Sequence, residues 1–505
     1  MTGGHVVKIV GTPGETEPAS FVLRSSNRHR FVNVQSNDLI SKQGHRLPQS
    51  QISMRVVKCW YQANDSSSIR TSKQRVLTPE LLLFDDDLVK VDHIAKRNFL
   101  RVIANDRYQY IDISGKSGEG LPESFVFDDA ETLQAFDLAP NRNQQVWVTI
   151  TIPPSTSVGI YQGTIGVSEA GRIIGSLPIE VKVLPFTLAD SMLEYAIYYR
   201  GILANGGPEV SSDKKSQNQY QRELTDIFKH GIVAPTLYQR FDSDYLSQAI
   251  ELRDDLNISK HRLYTLGTTT ANKTDPKSIK MLASRVRIWK AIANAHNYRE
   301  IYIYGVDEAV KERLSEQKPS WDVVHRQGAK MFVALYEGAT AFTRNAIDTA
   351  ILSGYKPKEV EKWHRLGSRV LSYGNPQVGL EDPNIYRRNY GFKLWAGGYD
   401  GCMPYAYQHA FGHIWNDFDH PKFRDHVFAY PTTDGLVSTI QWEGFREAVD
   451  DVRYLSTLLA LEGKNTDGIR KHIFDQLAQP KPSMNQIRQW LIDRILQHIN
   501  QRPLP

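Results

Sequence analysis

A chain of 505 residues is too long for one compact core and predicts two or three domains. Its composition, with 41% hydrophobic and 23% charged residues, is that of a folded globular protein and argues against extended disorder. The net charge is only +5 and no long basic run occurs, so nucleic acid is not an expected partner.

The sequence leaves the cellular compartment open. Residues 1–5 have neither a cationic start nor an apolar run, so no signal peptide is expected. A cytoplasmic enzyme and a trimmed exported protein would both look like this. Cys59 and Cys402 lie far apart and predict no disulfide framework. No apolar run is long enough to span a membrane.

Residues 1–187 alternate between apolar and polar side chains, as strands with one buried face do. The segments 145–152 and 179–183 are the clearest examples. Turn residues such as Thr12-Pro13-Gly14 separate the short runs. The pattern predicts an antiparallel β-sandwich as the first domain.

Residues 188–442 alternate strand-like segments with amphipathic helices. Eight such units predict a (β/α)₈ TIM-type barrel, whose active sites form at the C-terminal ends of the strands. A doubly wound open sheet is the competing topology, but no glycine-rich phosphate-binding turn follows the first strand. The predicted strands are 195–199, 232–236, 262–266, the segment from 300 toward the acids at 307 and 308, 330–336, 349–352, 368–373 and 401–407.

Residues 443–505 predict a C-terminal helical cap on the barrel. Two stripes of apolar residues recur at spacings of three and four, and a proline-rich break at 480–482 separates them. The stripes are Phe445, Val449, Val452, Leu455 and Leu459, then Ile487, Trp490, Leu491, Ile495 and Ile499.

The adjacent acids Asp307 and Glu308 end the fourth predicted strand and are the candidate catalytic residues. Hydrolysis of a glycosidic bond needs a carboxylic acid to protonate the departing oxygen, and Glu308 is expected to do so. Neighbouring strand residues point to opposite faces, so both acids enter one site only if the strand ends there, which Gly305 permits. The alternative is that the pair caps the following helix.

The segment after the seventh predicted strand bears on the mechanism. A retaining enzyme with a protein nucleophile would place an acid there, but the sequence continues Gly374-Asn375-Pro376-Gln377, and the first acids are Glu381 and Asp382. The substrate would then supply its own nucleophile, the carbonyl oxygen of a 2-acetamido group, with Asp307 orienting that amide. An inverting enzyme acting on a non-acetamido sugar and a carbohydrate-binding protein without turnover stay open as alternatives.

Two stretches, residues 304–308 and 434–455, resemble glycoside hydrolase family 123 and the related domain of unknown function 4091. That family shows a Tyr-x-x-Asp-Glu-Pro strand end and a late Ser-x-Arg-x-Glu-x-x-Arg-Glu-Gly-x-Glu-Asp-Tyr-x-Tyr-Leu signature. Residues 13–21 and 183–186 are similar to the start and end of the family's N-terminal sandwich.

The resemblance implies a β-N-acetylgalactosaminidase that removes a terminal sugar by retaining, substrate-assisted catalysis. In that scheme Asp307 orients the acetamido group and Glu308 is the acid and base. The sequence departs from the family pattern at three positions, which leaves the exact sugar open. These are Ala309 in place of proline, Gln441 in place of arginine and Val452 in place of tyrosine.

Polar and aromatic residues near the other strand ends are candidates for the sugar pocket. Because side chains alternate along a strand, only half of them can face it. Trp415 is expected to stack on a pyranose face, and the resemblance implies a pocket role for Glu443. The candidates are Tyr198, Arg200, Tyr238, Tyr336, Tyr373, Asn375, Tyr405, Tyr407, Trp415 and Glu443.

No cofactor is expected. The cluster His409, His413, Asp417 and His420 lacks a metal-binding spacing such as His-Glu-x-x-His. The expected partner is a glycan or glycoconjugate substrate.

Overall fold

The computed structural model describes residues 6–64, 70–71, 74–116, 125–204, 210–256, 258–271, 274–380, 382–463 and 466–501. Glu381 lies outside these residues. The expected fold is confirmed: an N-terminal β-sandwich, an eight-stranded parallel barrel and a C-terminal group of helices follow one another along the chain. Among the described residues, no helix has the length and apolar character needed to cross a membrane.

The sandwich forms because alternating apolar residues of its strands face a shared core. Val146, Val148 and Ile150, for example, are fully buried. The strands are β1 (Val7–Gly11), β2 (Thr16–Leu23), β3 (His29–Ser36), β4 (Leu39–Ser41), β5 (Arg46–Leu47), β6 (Ile52–Gln62), β7 (Val76–Leu83), β8 (Val89–Asp92), β9 (Arg97–Ala104), β10 (Arg107–Asp112), β11 (Phe136–Leu138), β12 (Gln144–Thr151), β13 (Gly159–Glu169) and β14 (Arg172–Val183).

One sheet runs in the order β1-β14-β13-β3-β11, with β4 and β5 beside β13. The strands pair antiparallel except β1, which is parallel to β14. The other sheet begins β2-β12-β6-β7, and β8, β9 and β10 form a separate three-stranded sheet.

The barrel strands lie in the order β18-β15-β24-β23-β22-β21-β20-β19, all parallel. Backbone hydrogen bonds of Leu237 to Tyr264 and Leu266 close the ring between its two ends. The strands are β15 (Glu194–Ile197), β18 (Ala234–Pro235), β19 (Arg262–Thr269), β20 (Glu300–Tyr304), β21 (Lys330–Leu335), β22 (Thr349–Ser353), β23 (Arg369–Tyr373) and β24 (Gly401–Cys402). Two short pairs lie outside it: β16 (Ile202–Leu203) with β17 (Lys214–Lys215), and β25 (Gln408–His409) with β26 (His426–Val427).

The second and eighth barrel strands are shorter than the sequence predicted. Each has only two residues, and prolines, Pro235 and Pro404, stand at or just beyond its end. Because proline has no backbone N–H, it cannot continue the hydrogen-bonded ladder. Pairing with the neighbouring strands nevertheless continues in irregular form, because the N–H of Thr236 donates to the carbonyl of Ile197 and the N–H of Met403 donates to the carbonyl of Ser372.

The helices cover the barrel and continue to Gln501, the last described residue. Thr439 caps the long helix α10 by accepting a hydrogen bond from the N–H of Trp442. The helices are α1 (Gln217–Lys229), α2 (Leu246–Asp255), α3 (Pro276–Ala295), α4 (Glu312–Ser315), α5 (Lys318–Arg326), α6 (Thr340–Thr343), α7 (Pro357–Arg365), α8 (Pro383–Tyr390), α9 (Phe392–Ala396), α10 (Ile440–Glu462), α11 (Asp467–Leu477) and α12 (Met484–Gln501).

The chain returns to the sandwich after the barrel. Strands β27 (Ala429–Pro431) and β28 (Leu436–Thr439) extend the second sheet, because Ser438 and Thr439 pair with β7. Helix α10 follows directly and is buried along most of its length. It is thus an inner helix between the domains, whereas the sequence predicted a cap beginning at residue 443.

Two of the stretches that resemble the family, residues 13–21 and 434–455, meet at this junction. Arg488 of α12 contacts Glu17 of the sandwich at 2.9 Å and Asp451 of α10 at 2.5 Å. The Tyr454 hydroxyl donates to Glu15 at 2.8 Å. Burial raises the pKa values of the carboxyl groups of Glu15, Glu17 and Asp450, whose oxygens lie within 4.8 Å of one another. A buried ionic network therefore joins the sandwich to the helices.

Candidate active site

A cavity of about 510 Å³ opens at the C-terminal ends of the barrel strands. Pockets of roughly 300–1,000 Å³ are typical of small-ligand sites. Among the described residues that line it, Asp307 and Glu308 carry the only carboxyl groups. The lining consists of Tyr198, Arg200, Tyr238, Leu266, Thr269, Ala271, Tyr304, Gly305, Asp307, Glu308, Ala334, Tyr373, Gln377, Tyr405, His409, Phe411 and His426.

The two acids share this cavity because β20 ends before them. Gly305 packs so closely on β21 that an added Cβ atom would lie 2.8 Å from the Cβ of Val333. Glu308 then adopts a left-handed backbone, with φ at +47°, and its N–H donates to the carbonyl of Ala334. The following helix, α4, begins at Glu312 without a side-chain cap. The alternative that the pair caps that helix is therefore wrong.

Asp307 is oriented by a tyrosine from its own strand. The Tyr304 hydroxyl donates to Oδ1 of Asp307 at 2.5 Å and lies 3.4 Å from the Tyr198 hydroxyl. Burial raises the pKa of the Asp307 carboxyl group and the charge of Glu308 adds to this, while the hydrogen bond from Tyr304 acts in the opposite direction. Oδ1 thus has a fixed partner, and the described residues provide no hydrogen bond to Oδ2.

Two phenols hold Glu308, one at each carboxylate oxygen. Tyr373, at the end of β23, donates to Oε1, and Tyr336, just after β21, donates to Oε2. Burial and the Glu308 carboxylate raise the pKa of Tyr336 to about 12 and also raise the pKa of Tyr373. Both hydroxyls consequently stay protonated near neutral pH and remain hydrogen-bond donors.

Arg200 is fixed at another side of the cavity. Its Nε and Nη2 atoms donate to the two carboxylate oxygens of Asp213 at 2.9 and 2.8 Å, and Nη1 donates to the Tyr405 hydroxyl at 3.2 Å. Its guanidinium carbon lies 5.5 Å from the centre of the Tyr238 ring. A bidentate pair of this kind fixes the guanidinium and neutralises its charge.

An aromatic wall formed by His409, Phe411 and His426 was missed by the sequence analysis. The ring centroids of His409 and Phe411 lie 4.7 Å apart, and those of His409 and His426 lie 5.9 Å apart. Burial lowers the pKa values of both histidines to about 4, so the imidazoles are neutral at pH 7. The sequence feature that could have indicated this wall is the cluster of histidines after the eighth strand, which the sequence analysis considered only as a metal site.

The structure separates the predicted pocket residues into two groups. Tyr198, Arg200, Tyr238, Tyr373 and Tyr405 line the cavity, and Tyr336 lies at its edge through its bond to Glu308. The other four predicted residues, Asn375, Tyr407, Trp415 and Glu443, do not line it.

Two of these four are near the barrel but bonded elsewhere. Asn375 is buried, and its side-chain oxygen accepts a hydrogen bond from Asn389 at 3.3 Å. Tyr407 is fully buried, and its hydroxyl donates to Asp226 at 2.8 Å. Both predictions are wrong because the side chains point behind the cavity, into the packing between strands and helices.

Trp415 is a core residue of the sandwich. Its ring centroid lies 5.5 Å from that of Phe127 and 4.9 Å from that of Tyr430, and its indole N–H donates to the carbonyl of Pro431. The loop after the eighth barrel strand thus reaches away from the cavity. The predicted stacking of Trp415 on a sugar is therefore wrong.

Glu443 belongs to the buried face of α10. It contacts Arg446 at 2.6 Å and His230 at 3.7 Å. Although burial acts in the opposite direction, these partners lower the pKa of Glu443 to about 2. The residue is a structural anion, and the pocket role implied for it is wrong.

Comparison with known proteins agrees with this architecture. Residues 66–169 match the sequence model described as the glycoside hydrolase 123 N-terminal domain. A family 123 glycoside hydrolase from Clostridium perfringens, studied for glycolipid glycan hydrolysis, aligns over 98% of this chain and 93% of its own, with 12% identity and a TM-score of 0.65. A search of curated proteins found no match.

Two further solved structures align less well. An endo-β-N-acetylglucosaminidase from Cordyceps militaris covers 52% of this chain and 91% of its own, with 9% identity and a TM-score of 0.32. A family 5 xyloglucanase from Bacteroides ovatus covers 88% and 98%, with 8% identity and a TM-score of 0.30.

The matches therefore support a glycoside hydrolase. The resemblance to glycoside hydrolase family 123 that the sequence suggested is confirmed, since residues 66–169 match the model of that family's N-terminal domain and the fold matches a member.

Proposed function

We propose that the protein is an exo-acting, retaining glycosidase that removes a terminal β-linked 2-acetamido sugar, with N-acetylgalactosamine as the first candidate. The observation that carries the proposal is the pairing of Asp307 and Glu308 in a cavity whose described lining has no other carboxyl group. A protein nucleophile in a retaining glycosidase would be a second carboxylate about 5–5.5 Å from the acid. Without one, the sugar's own acetamido group is the nucleophile.

The proposed reaction begins with the departure of the leaving group. Glu308 gives its proton to the glycosidic oxygen, the bond from that oxygen to C1 breaks, and the acetamido carbonyl oxygen bonds to C1 from the other face. Asp307 accepts the amide N–H through Oδ2, because Oδ1 is held by Tyr304. Its negative charge stabilises the positive charge that develops on the cyclised amide.

The second half returns the enzyme to its starting state. Glu308, now a carboxylate, takes a proton from water, whose oxygen attacks C1 and opens the ring formed by the acetamido group. Two displacements at C1 restore the original anomeric configuration. The product is the free β-configured sugar, and Glu308 is again protonated.

The form of the cavity supports a terminal sugar as substrate. One side presents phenols and a fixed guanidinium for hydroxyl groups, and the other presents neutral aromatic rings for an apolar sugar face. The study of glycolipid glycans with the Clostridium perfringens protein makes such glycans the natural substrates to test first.

The test is turnover of β-linked N-acetylgalactosaminides with different leaving groups. Glu308→Gln is expected to lose about 10²–10⁴-fold of activity on a disaccharide, where the departing oxygen needs a proton. The same variant should lose far less activity on a 2,4-dinitrophenyl glycoside, because that leaving group departs without being protonated. Glu337→Gln is the matched control, because that exposed glutamate pairs with Lys356 and does not line the cavity.

The anomeric outcome and the sugar range decide the mechanism. Proton NMR of the first product should show the β anomer. Release of the α anomer, or cleavage of glycosides without an acetamido group while every 2-acetamido sugar is refused, would reject substrate assistance. Full activity of Glu308→Gln on the disaccharide would reject the assignment of the acid.

A further inference from the structure

The two histidines of the aromatic wall use the same ring atom, Nδ1, in opposite senses. Nδ1 of His426 lies 2.9 Å from the carbonyl oxygen of Val378. A carbonyl oxygen can only accept, so His426 carries a hydrogen on Nδ1. Because burial lowers the pKa of this imidazole to about 4, the ring is neutral at pH 7 and has no second hydrogen. Its Nε2 is therefore an acceptor.

His409 has the other tautomer because of Arg200. Nη1 of Arg200 donates to the Tyr405 hydroxyl at 3.2 Å, and that hydroxyl lies 3.0 Å from Nδ1 of His409. A guanidinium cannot accept a hydrogen bond, so the hydroxyl donates its own hydrogen to Nδ1. Burial and the charge of Arg200 lower the pKa of His409 to about 4. The neutral ring thus carries its hydrogen on Nε2, which is a donor.

The two Nε2 atoms are available to a ligand. Both rings line the cavity and are nearly parallel, with centroids 5.9 Å apart and planes inclined by 17°. Among the described residues neither Nε2 has a hydrogen-bond partner, and neither is closed off from solvent. A donor and an acceptor therefore stand side by side. A hydroxyl group suits such a pair because it can accept from one atom and donate to the other.

The charges at this side of the cavity favour an uncharged ligand group. Asp213 neutralises Arg200 through the two hydrogen bonds of their pair, and both imidazoles are neutral. A sulfate or carboxylate would place its negative charge beside the bare Nε2 of His426, with no unpaired cation in the cavity lining to balance it. A sugar hydroxyl meets neither difficulty.

The place of the wall in the barrel indicates which hydroxyl it binds. The loop after β24 carries both histidines, and β24 lies opposite β20, which delivers the acid pair, in the eight-stranded ring. With C1 and the 2-acetamido group held at Asp307 and Glu308, the far side of the pyranose ring is at C4. We propose that His409 and His426 bind the free 4-hydroxyl group of the terminal sugar, as donor and acceptor, and thereby set specificity at C4. The inference rests on the proposed function, because the acid pair orients the sugar.

This assignment has two consequences for the substrate. C4 is the carbon at which N-acetylgalactosamine and N-acetylglucosamine differ in configuration, so the histidine pair discriminates between them. A sugar that is extended at its 4-oxygen has no hydrogen there to donate to Nε2 of His426. The pair therefore selects a sugar that ends its chain at C4, in keeping with exo action.

Ring ¹⁵N NMR of protein labelled at its histidines tests the tautomers without turnover. The chemical shift separates a ring nitrogen that carries a hydrogen from a bare one. At pH 7 His409 should carry its hydrogen on Nε2 and His426 on Nδ1, with signals assigned from His409→Gln and His426→Gln. In Tyr405→Phe the tautomer of His409 is no longer fixed, so the form with hydrogen on Nδ1 should become populated. The same tautomer in both histidines would overturn the inference.

Kinetics on an aryl β-N-acetylgalactosaminide and its 4-deoxy analogue test the contact itself. His409→Phe keeps a ring in the wall but has no donor, so kcat/KM on the parent glycoside should fall about tenfold to a hundredfold. On the 4-deoxy analogue this variant and the wild type should agree within about threefold, because the hydroxyl is absent from both. Tyr405→Phe should show the same pattern with a smaller loss, and it tests the contact even if His409→Phe fails to fold. His45→Gln is the control, since that exposed histidine of the sandwich does not line the cavity.

The outcomes separate this inference from the proposed function. Equal losses on the two glycosides would overturn the inference, because the histidine would then support the structure of the cavity and not bind the 4-hydroxyl. In that case turnover of the parent glycoside by the wild type, and its loss in Glu308→Gln, would still stand. Absence of wild-type turnover on every 2-acetamido glycoside would instead reject the proposed function, and the assignment of the 4-hydroxyl with it.

Discussion

Removal of the Arg488 guanidinium should weaken the junction between the sandwich and the helices. In Arg488→Met the side chain keeps much of its apolar length but leaves Glu17 without its contact at 2.9 Å. Asp451 is less affected, because Arg387 still contacts it at 2.7 Å. Loss of one partner of a buried ion pair costs about 3–5 kcal/mol. We expect the lower end of that range, about 3 kcal/mol at neutral pH.

The pH dependence of this loss has a definite sign. Burial and Glu447 raise the pKa of Glu17 well above its ordinary value, and Arg488 opposes them. Without Arg488 the folded protein holds a proton on Glu17 still more tightly than the unfolded chain does. Protonation then neutralises the orphaned charge, so the deficit in stability should shrink as the pH falls and grow as it rises.

Urea and thermal unfolding at pH 5.5 and 8 measure the effect, followed by intrinsic fluorescence. Arg494→Met is the matched control in the same helix, because the Arg494 side chain is 40% exposed and its pair with Glu462 should contribute no more than about 1 kcal/mol. Glu17→Gln added to Arg488→Met should restore part of the loss. If Arg488→Met lost no more unfolding free energy than Arg494→Met, or if its loss grew toward acidic pH, this account of the junction would be refuted.

Three shorter predictions concern the site and its surroundings. Asp307→Asn should abolish turnover yet raise the melting temperature at pH 7. The pKa of Asp307 is raised in the folded protein, so ionisation of this carboxyl group lowers the stability of the fold as the pH rises above 3.8, and asparagine avoids that loss. An unchanged or lower melting temperature would contradict this. Trp415→Ala should destabilise the protein by about 3–5 kcal/mol without changing KM, which steady-state kinetics on the folded fraction can check. Gly305→Ala should lower kcat about tenfold or more, because the new methyl group meets Val333 and displaces Asp307 and Glu308. A variant with the kcat of the wild-type enzyme would show that the close packing of Gly305 on Val333 is unimportant for activity.

The architecture was accessible from the sequence because each domain has its own periodicity. Alternation with a period of two marked the sandwich, and apolar runs separated by amphipathic helices marked the barrel. Six of the predicted barrel strands agree with the structure to within three residues at either end. What the sequence did not reveal is long-range pairing: nothing local to residues 429–439 indicates that these two strands join β7 across more than 340 positions.

The candidate site was only partly accessible. Asp307 and Glu308 could be found because a strand, a glycine and two acids follow one another locally. Trp415 and Tyr407 were misplaced because the direction of a loop and the face of a strand end depend on the packing around them. Phe411 and His426 were missed for the complementary reason: they come from opposite ends of an excursion that folds back through β25 and β26.

The late signature illustrates a different limit. Residues 434–455 supported the family resemblance more specifically than the acid pair did, yet the charged residues between positions 443 and 453 pair with one another and with α12 and do not line the cavity. A motif can thus identify a family through the contacts that hold its domains together. Its residues then report on assembly of the fold and carry no direct information on the sugar.

The N-terminal sandwich cannot be completed until β27 and β28, which follow the barrel in the chain, have been synthesised. When the ribosome has synthesised the first 187 residues, β7 is an unpaired edge strand of the second sheet. Its partner, β28, lies more than 240 residues further along the chain and has not yet been synthesised. That open strand border is a template for unwanted pairing until translation reaches residue 439. A fragment ending at residue 187 should therefore aggregate when produced alone, and soluble expression should return when residues 429–439 are grafted on through a short linker.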